Sequence, residues 1–113
     1  KAWAQFEVLP EADHNTLAGI EKDENILTKI MAVFLKGGHA HPRNNLRANL
    51  TSAELLAAGI GVDSLEFNGI SRLEEIWDAL LFGDYFAYYL ALAYDIDPTP
   101  VETLINLKHN MKR

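Results

Sequence analysis

Apolar residues are densest between Leu73 and Ala93, where Leu73, Ile76, Trp77, Leu80, Leu81, Phe86, Leu90 and Ala93 are too many for one narrow stripe. Ser71-x-x-Glu74 stands in front as a capping box. The pattern predicts a long helix from Ser71 to about Tyr94, apolar nearly all round and therefore covered by several neighbours. A second run, Ile30 to Leu35 in KIMAVFLK, is short, lacks alternation and is bounded by Gly37-Gly38. Such a run predicts a strand buried on both faces. GVDSLEFNG, closed by Asn68-Gly69, reads as a weaker second strand. Between the two, HAHPRNNLRANLTSAELLAAG is helical, with Pro42 suited to a first helical position and Gly59 to a C-cap. Thr51-x-x-Glu54 resembles a further capping box, so one bent helix and two short ones both fit.

Towards the N-terminus, Ala2, Trp3 and Phe6 fall on one side of a helical turn that Pro10 ends nearby. Asp13 is placed to cap a short helix from His14 to about Ile20, and EKDEN after it reads as a charged loop. At the other end, Thr99-Pro100-Val101-Glu102 combines a cap, a first-turn proline and a capping-box glutamate, predicting a helix to about Met111. The order is helix, strand, helix, strand, long helix, helix. A helical crossover between two strands makes them parallel. Two parallel strands alone form a poor sheet, which needs more strands and cover on both faces. The expected fold class is therefore α/β, half of an open parallel-sheet sandwich with flanking helices and a long buried helix near the C-terminus. Its remaining strands are expected upstream of Lys1, with residues 1–113 forming a single domain of a longer chain.

Composition narrows the function. The 113 residues are 49% hydrophobic and 23% charged, with a net charge of −6. An acidic chain has no general electrostatic grip on nucleic acid or an anionic membrane, so neither is expected as a partner. With no cysteine, neither a disulfide framework nor a thiolate metal site is available, which fits a reducing compartment. KAWAQFEV carries no apolar core of a signal peptide, and a cytoplasmic location is expected. ALLFGDYFAYYLALAYDI is broken by Gly83 and Asp84, making it a poor membrane span and a better buried helix.

Candidate chemistry is sparse. Val101, Leu104, Ile105, Lys108 and Met111 share one helical face, so Lys108 occupies a slot the pattern gives to apolar residues. Its stem either covers the core while the ammonium reaches water, or the ammonium lies at a cleft edge ready for an oxyanion or hydroxyl. His14, in LPEADHN, is either a capping or surface residue or a proton carrier. Spacing alone decides neither case. His39 and His41 form an H-x-H without a third nearby ligand, which argues for a solvated loop and against a metal. Arg43, following a strand's carboxyl end near a helix start, is a weaker anion candidate. Tyr85, Phe86, Tyr88 and Tyr89 read as core and interface, and the acids of PEAD and EKDE as solvated faces.

Three stretches taken together carry a resemblance: LPEADHN, HPRNNLRANLTSAELLAAGI and LLFGDYFAYYLALAYDIDPTPVETLINLK. In this order they resemble the C-terminal domain of bacterial and archaeal bifunctional phosphoglucose/phosphomannose isomerases, of the sugar-isomerase (SIS) fold. The P-E-x-x-H-N element and the G-D-Y to L-K tail are its most specific parts. The resemblance implies interconversion of glucose or mannose 6-phosphate with fructose 6-phosphate through a cis-enediol, without metal or cofactor. It implies catalytic roles in ring opening for His14 and Lys108, and a proton-shuttling glutamate in an N-E-N element just before Lys1. The Ser/Thr phosphate loops would likewise lie outside this chain. It further implies a homodimer in which the histidine is supplied across the subunit interface, completing a composite site. Where the family has Ser or Thr in G-D-x-x-S, this chain has Ala87, a departure that touches neither His14 nor Lys108. Two other uses of the fold compete with catalysis, a non-catalytic sugar-phosphate sensor and a dimerisation domain.

Overall fold

The computed structural model describes residues 4–20 and 27–111. Ala2 and Trp3 of the expected N-terminal turn and the EKDEN loop lie outside the described residues. Residues 4–8 form no helix, and Phe6 is exposed rather than packed on a helical face. A π-helical turn, π1 (Asp13–Leu17), runs into the short α1 (Ala18–Ile20). There follow β1 (Met31–Gly37), α2 (Pro42–Ala57), β2 (Gly61–Phe67), α3 (Arg72–Ala93) and α4 (Glu102–Asn110). The chain divides into two compact units, Gln5–Ala79 and a second built mainly on Leu80–Arg113.

In the first unit β1 and β2 pair parallel, from Met31 opposite Gly61 to Gly37 opposite Phe67. The α/β reading and its crossover are thus borne out. HAHPRNN to AAG makes one helix, α2, with Pro42 at its start and the His41 side chain accepting from the Arg43 N–H. It ends as the sequence signals: Gly59 takes φ 90°, and the Ile60 N–H reaches back to the Leu55 carbonyl at 3.0 Å. That is a Schellman closure, in which a left-handed residue lets the chain turn while satisfying an orphan carbonyl. Leu55 and Ile60 are both buried, and with Ala48 they form the core beneath α2. The helix packs on both strands and on π1, and Lys36 Nζ on β1 donates to Asn49 Oδ1 at 2.8 Å.

The expectation of a strand covered on both sides is corrected. Burial alternates along β1, with Met31, Val33 and Leu35 exposed and Ala32, Phe34 and Lys36 partly covered. A crossover helix covers one face of the pair it connects, and Met31, Val33 and Leu35 lie on the other.

The carboxyl ends of the strands are closed by a polar latch. Glu75, only 5% exposed, accepts hydrogen bonds from the His39 N–H at 3.2 Å and lies 2.8 Å from His39 Nδ1. His39 thus lies exposed in its loop, as the solvated-loop reading has it, but is held there by Glu75. The approach requires glycine beneath it, since a β-carbon at Gly37 would lie 2.7 Å from Glu75 Oε2. Burial pushes the Glu75 carboxyl up, but the His39 ring and the N–H groups of His39 and Gly38 outweigh it and hold the pKa below its ordinary 4.5.

In α3, Ser71 Oγ accepts from the Glu74 N–H at 3.2 Å, and Glu74 reaches back to the Ile70 N–H at 2.7 Å. The capping reading holds, displaced by one residue on its return bond. Its expected burial does not hold. Leu73, Ile76, Trp77, Leu80, Leu81 and Phe86 are all exposed, as are Tyr85, Tyr88 and Tyr89, so the aromatic cluster read as core and interface is not core. Phe82 stacks on Phe86 and Tyr85 on Tyr89, one turn apart along the helix. Among the described residues no helix is long and apolar enough to cross a membrane. The start of α4 is also corrected. The Thr99 N–H bonds Asp97 Oδ1 at 2.8 Å in an Asx-type turn, so the helix begins after Val101 without a side-chain cap.

Two outcomes follow for stability. Gly59→Ala meets open space around a β-carbon but retains the left-handed backbone, so urea denaturation should show a loss of about 1 kcal/mol. Glu75 binds fewer protons in the native chain than in the unfolded one, so its stabilisation is complete above pH 4.5 and fades as pH falls through its native value. Glu75→Gln should therefore be less stable than the parent at pH 7, with the gap closing in acid. A gap that stays constant with pH would show the carboxylate charge to be immaterial.

Candidate functional site around His14

The turn that carries His14 is too short to hold itself. A five-residue π turn and three α-helical residues lie far below the roughly 12–15 residues an isolated helix needs in water, so its shape comes from what it touches. π turns are uncommon and recur at functional positions. Here the chain enters from the cis Leu9-Pro10 peptide, with the Asp13 N–H donating to the Pro10 carbonyl at 3.0 Å.

Asp13 fastens the turn to α2. Its Oδ1 accepts from Thr51 Oγ1 at 2.8 Å, and its Oδ2 lies 3.6 Å from Arg47 Nε. Arg47 and Thr51 are four residues apart and so share one helix face. Thr51 is itself buried, 7% exposed. A hydrogen bond to a charged acceptor contributes about 2 kcal/mol, whereas the half-exposed Arg47 pair contributes less because solvent screens it.

Two sequence expectations are corrected together. Asp13 is not the helix cap, since it lies inside the helical run and its carboxylate leaves the turn altogether. Thr51 does not open a capping box, since it sits within α2 and its hydroxyl is given to Asp13. Ser, Thr and Asp have the same cap preference when they are bridging distant elements, so local spacing could not separate the two uses.

Beside this bridge lies an open groove of about 360 Å³, lined by Asp13, Leu17, Arg43, Leu46, Arg47 and Leu50 among others. Arg43 and Arg47 stand one turn apart along α2 at its margin. Arg47 is engaged by Asp13, which leaves Arg43 as its more available cation. Leu46 and Leu50 are exposed.

His14 is exposed and follows Asp13 directly. Successive residues of a helical turn are rotated by about a quarter turn or more around the axis, so when Asp13 faces α2 the next side chain is turned away from that contact. The imidazole is thus presented to solvent from a turn whose neighbour is fixed. Such a group can exchange protons with a bound molecule, which a buried capping histidine cannot do.

Lys108 belongs to the second unit, in the last turn of α4, and is exposed. The apolar residues that share its face, Leu104, Ile105 and Met111, are exposed as well. The stripe read from the sequence is present as a helix face, but that face is not core. Among the described residues no group of three or more histidine, cysteine, aspartate or glutamate side chains is arranged to hold a metal ion. The His39–Glu75 latch was missed from the sequence. Its only local signal was an acid at the start of α3 facing a Gly-Gly-His loop, 36 residues away in the chain.

Comparison with known proteins agrees with the pattern of motifs. Residues 1–111 match the model of the bacterial phospho-glucose isomerase C-terminal SIS domain. The chain is 34% identical over 111 residues to a bifunctional phosphoglucose/phosphomannose isomerase of Caldicellulosiruptor bescii, covering 98% of this chain and 33% of that protein. It is 29% identical over 113 residues to a protein of the same name from Aquifex aeolicus, covering 100% and 35%. The chain thus spans about a third of the length of the curated relatives it matches. No solved structure matches it closely enough to add to this. A parallel βαβ unit flanked by helices, matched to one family model along all but its last two residues, places the chain in the bacterial phospho-glucose isomerase C-terminal SIS domain family.

Proposed function

We propose that this chain is the C-terminal SIS domain of an aldose–ketose isomerase that interconverts glucose or mannose 6-phosphate with fructose 6-phosphate. The observation that carries the reading is the family match over residues 1–111, with both curated relatives named as bifunctional phosphoglucose/phosphomannose isomerases. His14 and Lys108 are the residues assigned to the chemistry, and no cofactor is required. The location is cytoplasmic, and neither nucleic acid nor membrane is a partner.

Opening a pyranose ring breaks the bond between the anomeric carbon and the ring oxygen. The ring oxygen must gain a proton and the anomeric hydroxyl must lose one. An imidazole performs both kinds of transfer near neutral pH. An ammonium group beside the reacting oxygens lowers the cost of the negative charge that develops on them. Proton transfer between C1 and C2 through the cis-enediol is then the work of a glutamate that precedes Lys1 in the family pattern. In the homodimer His14 is offered to the partner's site, which agrees with its exposed position on π1.

In the full-length protein, His14→Ala and Lys108→Ala should each lower turnover by on the order of 10²-fold, with the circular dichroism spectrum unchanged. Wild-type turnover in either variant would remove that residue from the site. The 113-residue chain alone should form negligible fructose 6-phosphate in a coupled assay, because the glutamate and phosphate loops are not among its residues. Substantial product from the purified chain would overturn the division of labour.

A further inference from the structure

We infer that Thr51 and Arg47 of α2 are positioning residues for His14, acting through the carboxylate of Asp13. The inference rests on the reading of His14 as the proton-handling group, and goes beyond it by naming what aims that group. Asp13 precedes His14, lies in the same π turn, and is joined to α2 at two points, by Thr51 Oγ1 at 2.8 Å and Arg47 Nε at 3.6 Å. Thr51 is buried and carried on a sixteen-residue helix that packs on both strands. The hydroxyl is therefore a fixed reference point, and the turn is the part that must conform to it. π1 has no buried residue of its own. Leu17 lines the groove against α2, but apolar contact is non-directional and does not fix rotation about the turn's axis. The directed contacts from Thr51 and Arg47 to Asp13 do fix it, and the adjacent imidazole inherits that orientation.

Arg47 and Thr51 divide the role. Thr51 gives the short, buried bond that sets distance. Arg47, half exposed, holds the second carboxylate oxygen towards α2. Substitution at either site removes no group assigned to the chemistry, so ground-state binding should survive while the alignment needed for proton transfer degrades.

The test is steady-state kinetics on the full-length isomerase carrying Thr51→Val, Thr51→Ser, Arg47→Met or Asp13→Asn, alone and combined with His14→Ala. Thr51→Val should reduce kcat by on the order of 10-fold with KM changed less than about twofold, since small misplacements of a catalytic group lower turnover steeply. Thr51→Ser, which keeps the hydroxyl, should restore most of the loss, and Arg47→Met and Asp13→Asn should show the same kcat-weighted pattern. In the His14→Ala background Thr51→Val should cost nothing further, because residues acting through one group are not additive. Full activity of Thr51→Val beside an impaired His14→Ala overturns the inference alone. So does an equal loss from Thr51→Val in both backgrounds, which marks a general structural effect. Wild-type turnover in His14→Ala overturns the catalytic reading, and this inference with it.

Discussion

The hydrogen bond from Thr51 to Asp13 is the contact on which the local architecture around His14 depends. It spans 38 residues of sequence and joins the least self-sufficient element of the first unit to the most. α2 is long, regularly ended and seated on the sheet, whereas π1 has neither length nor a buried face of its own. Ordering a short turn costs conformational entropy for each residue fixed. The compensation must come from outside, and a charged carboxylate meeting a buried hydroxyl supplies it with a direction that apolar burial lacks.

The same chain leaves a large amount of apolar surface without cover. Met31, Val33 and Leu35 on one face of β1, and most of the side chains of α3, are exposed among the described residues. Apolar patches of this extent mark surfaces that meet other polypeptide. The sequence pattern had already implied cover for both, since a strand without alternation and a helix apolar all round are the signatures of elements buried on every side. A parallel sheet of two strands has the same requirement. In the proposed homodimeric isomerase these are the surfaces available for further strands and for subunit contact.

What the sequence revealed follows from the range over which each signal acts. The ends of α2 and the start of α3 were legible because Pro42, Gly59, Ser71 and Glu74 act within one turn of themselves. The parallel pairing was legible because a helix between two strands permits little else. Asp13 and Thr51 were misread for the converse reason. Both are good caps, and a rule confined to four residues assigns them locally while each satisfies the other across the fold. Thr99 failed differently, taken by Asp97 into a turn before it could cap α4. His14 and Lys108 came from family motifs; their spacing left a bland alternative open in each case.

His14 and His39, both in the first unit, show how one residue type is put to opposite uses by where the nearest carboxylate is aimed. Glu75 is bonded to His39 itself, through both ring and backbone. That arrangement holds the imidazole and devotes it to closing the ends of the strands. Asp13 stands directly beside His14 in sequence, yet its two oxygens are turned to Thr51 and Arg47. Its charge is thereby neutralised away from the ring, and it restrains the backbone of His14 without claiming the side chain. A proton-transfer group needs that combination, because an imidazole held by its own carboxylate is well placed but occupied, while one on an untethered turn is available but unaimed. By engaging Asp13 from α2, the fold fixes the turn that carries His14 and leaves the imidazole exposed, as the role proposed for it requires.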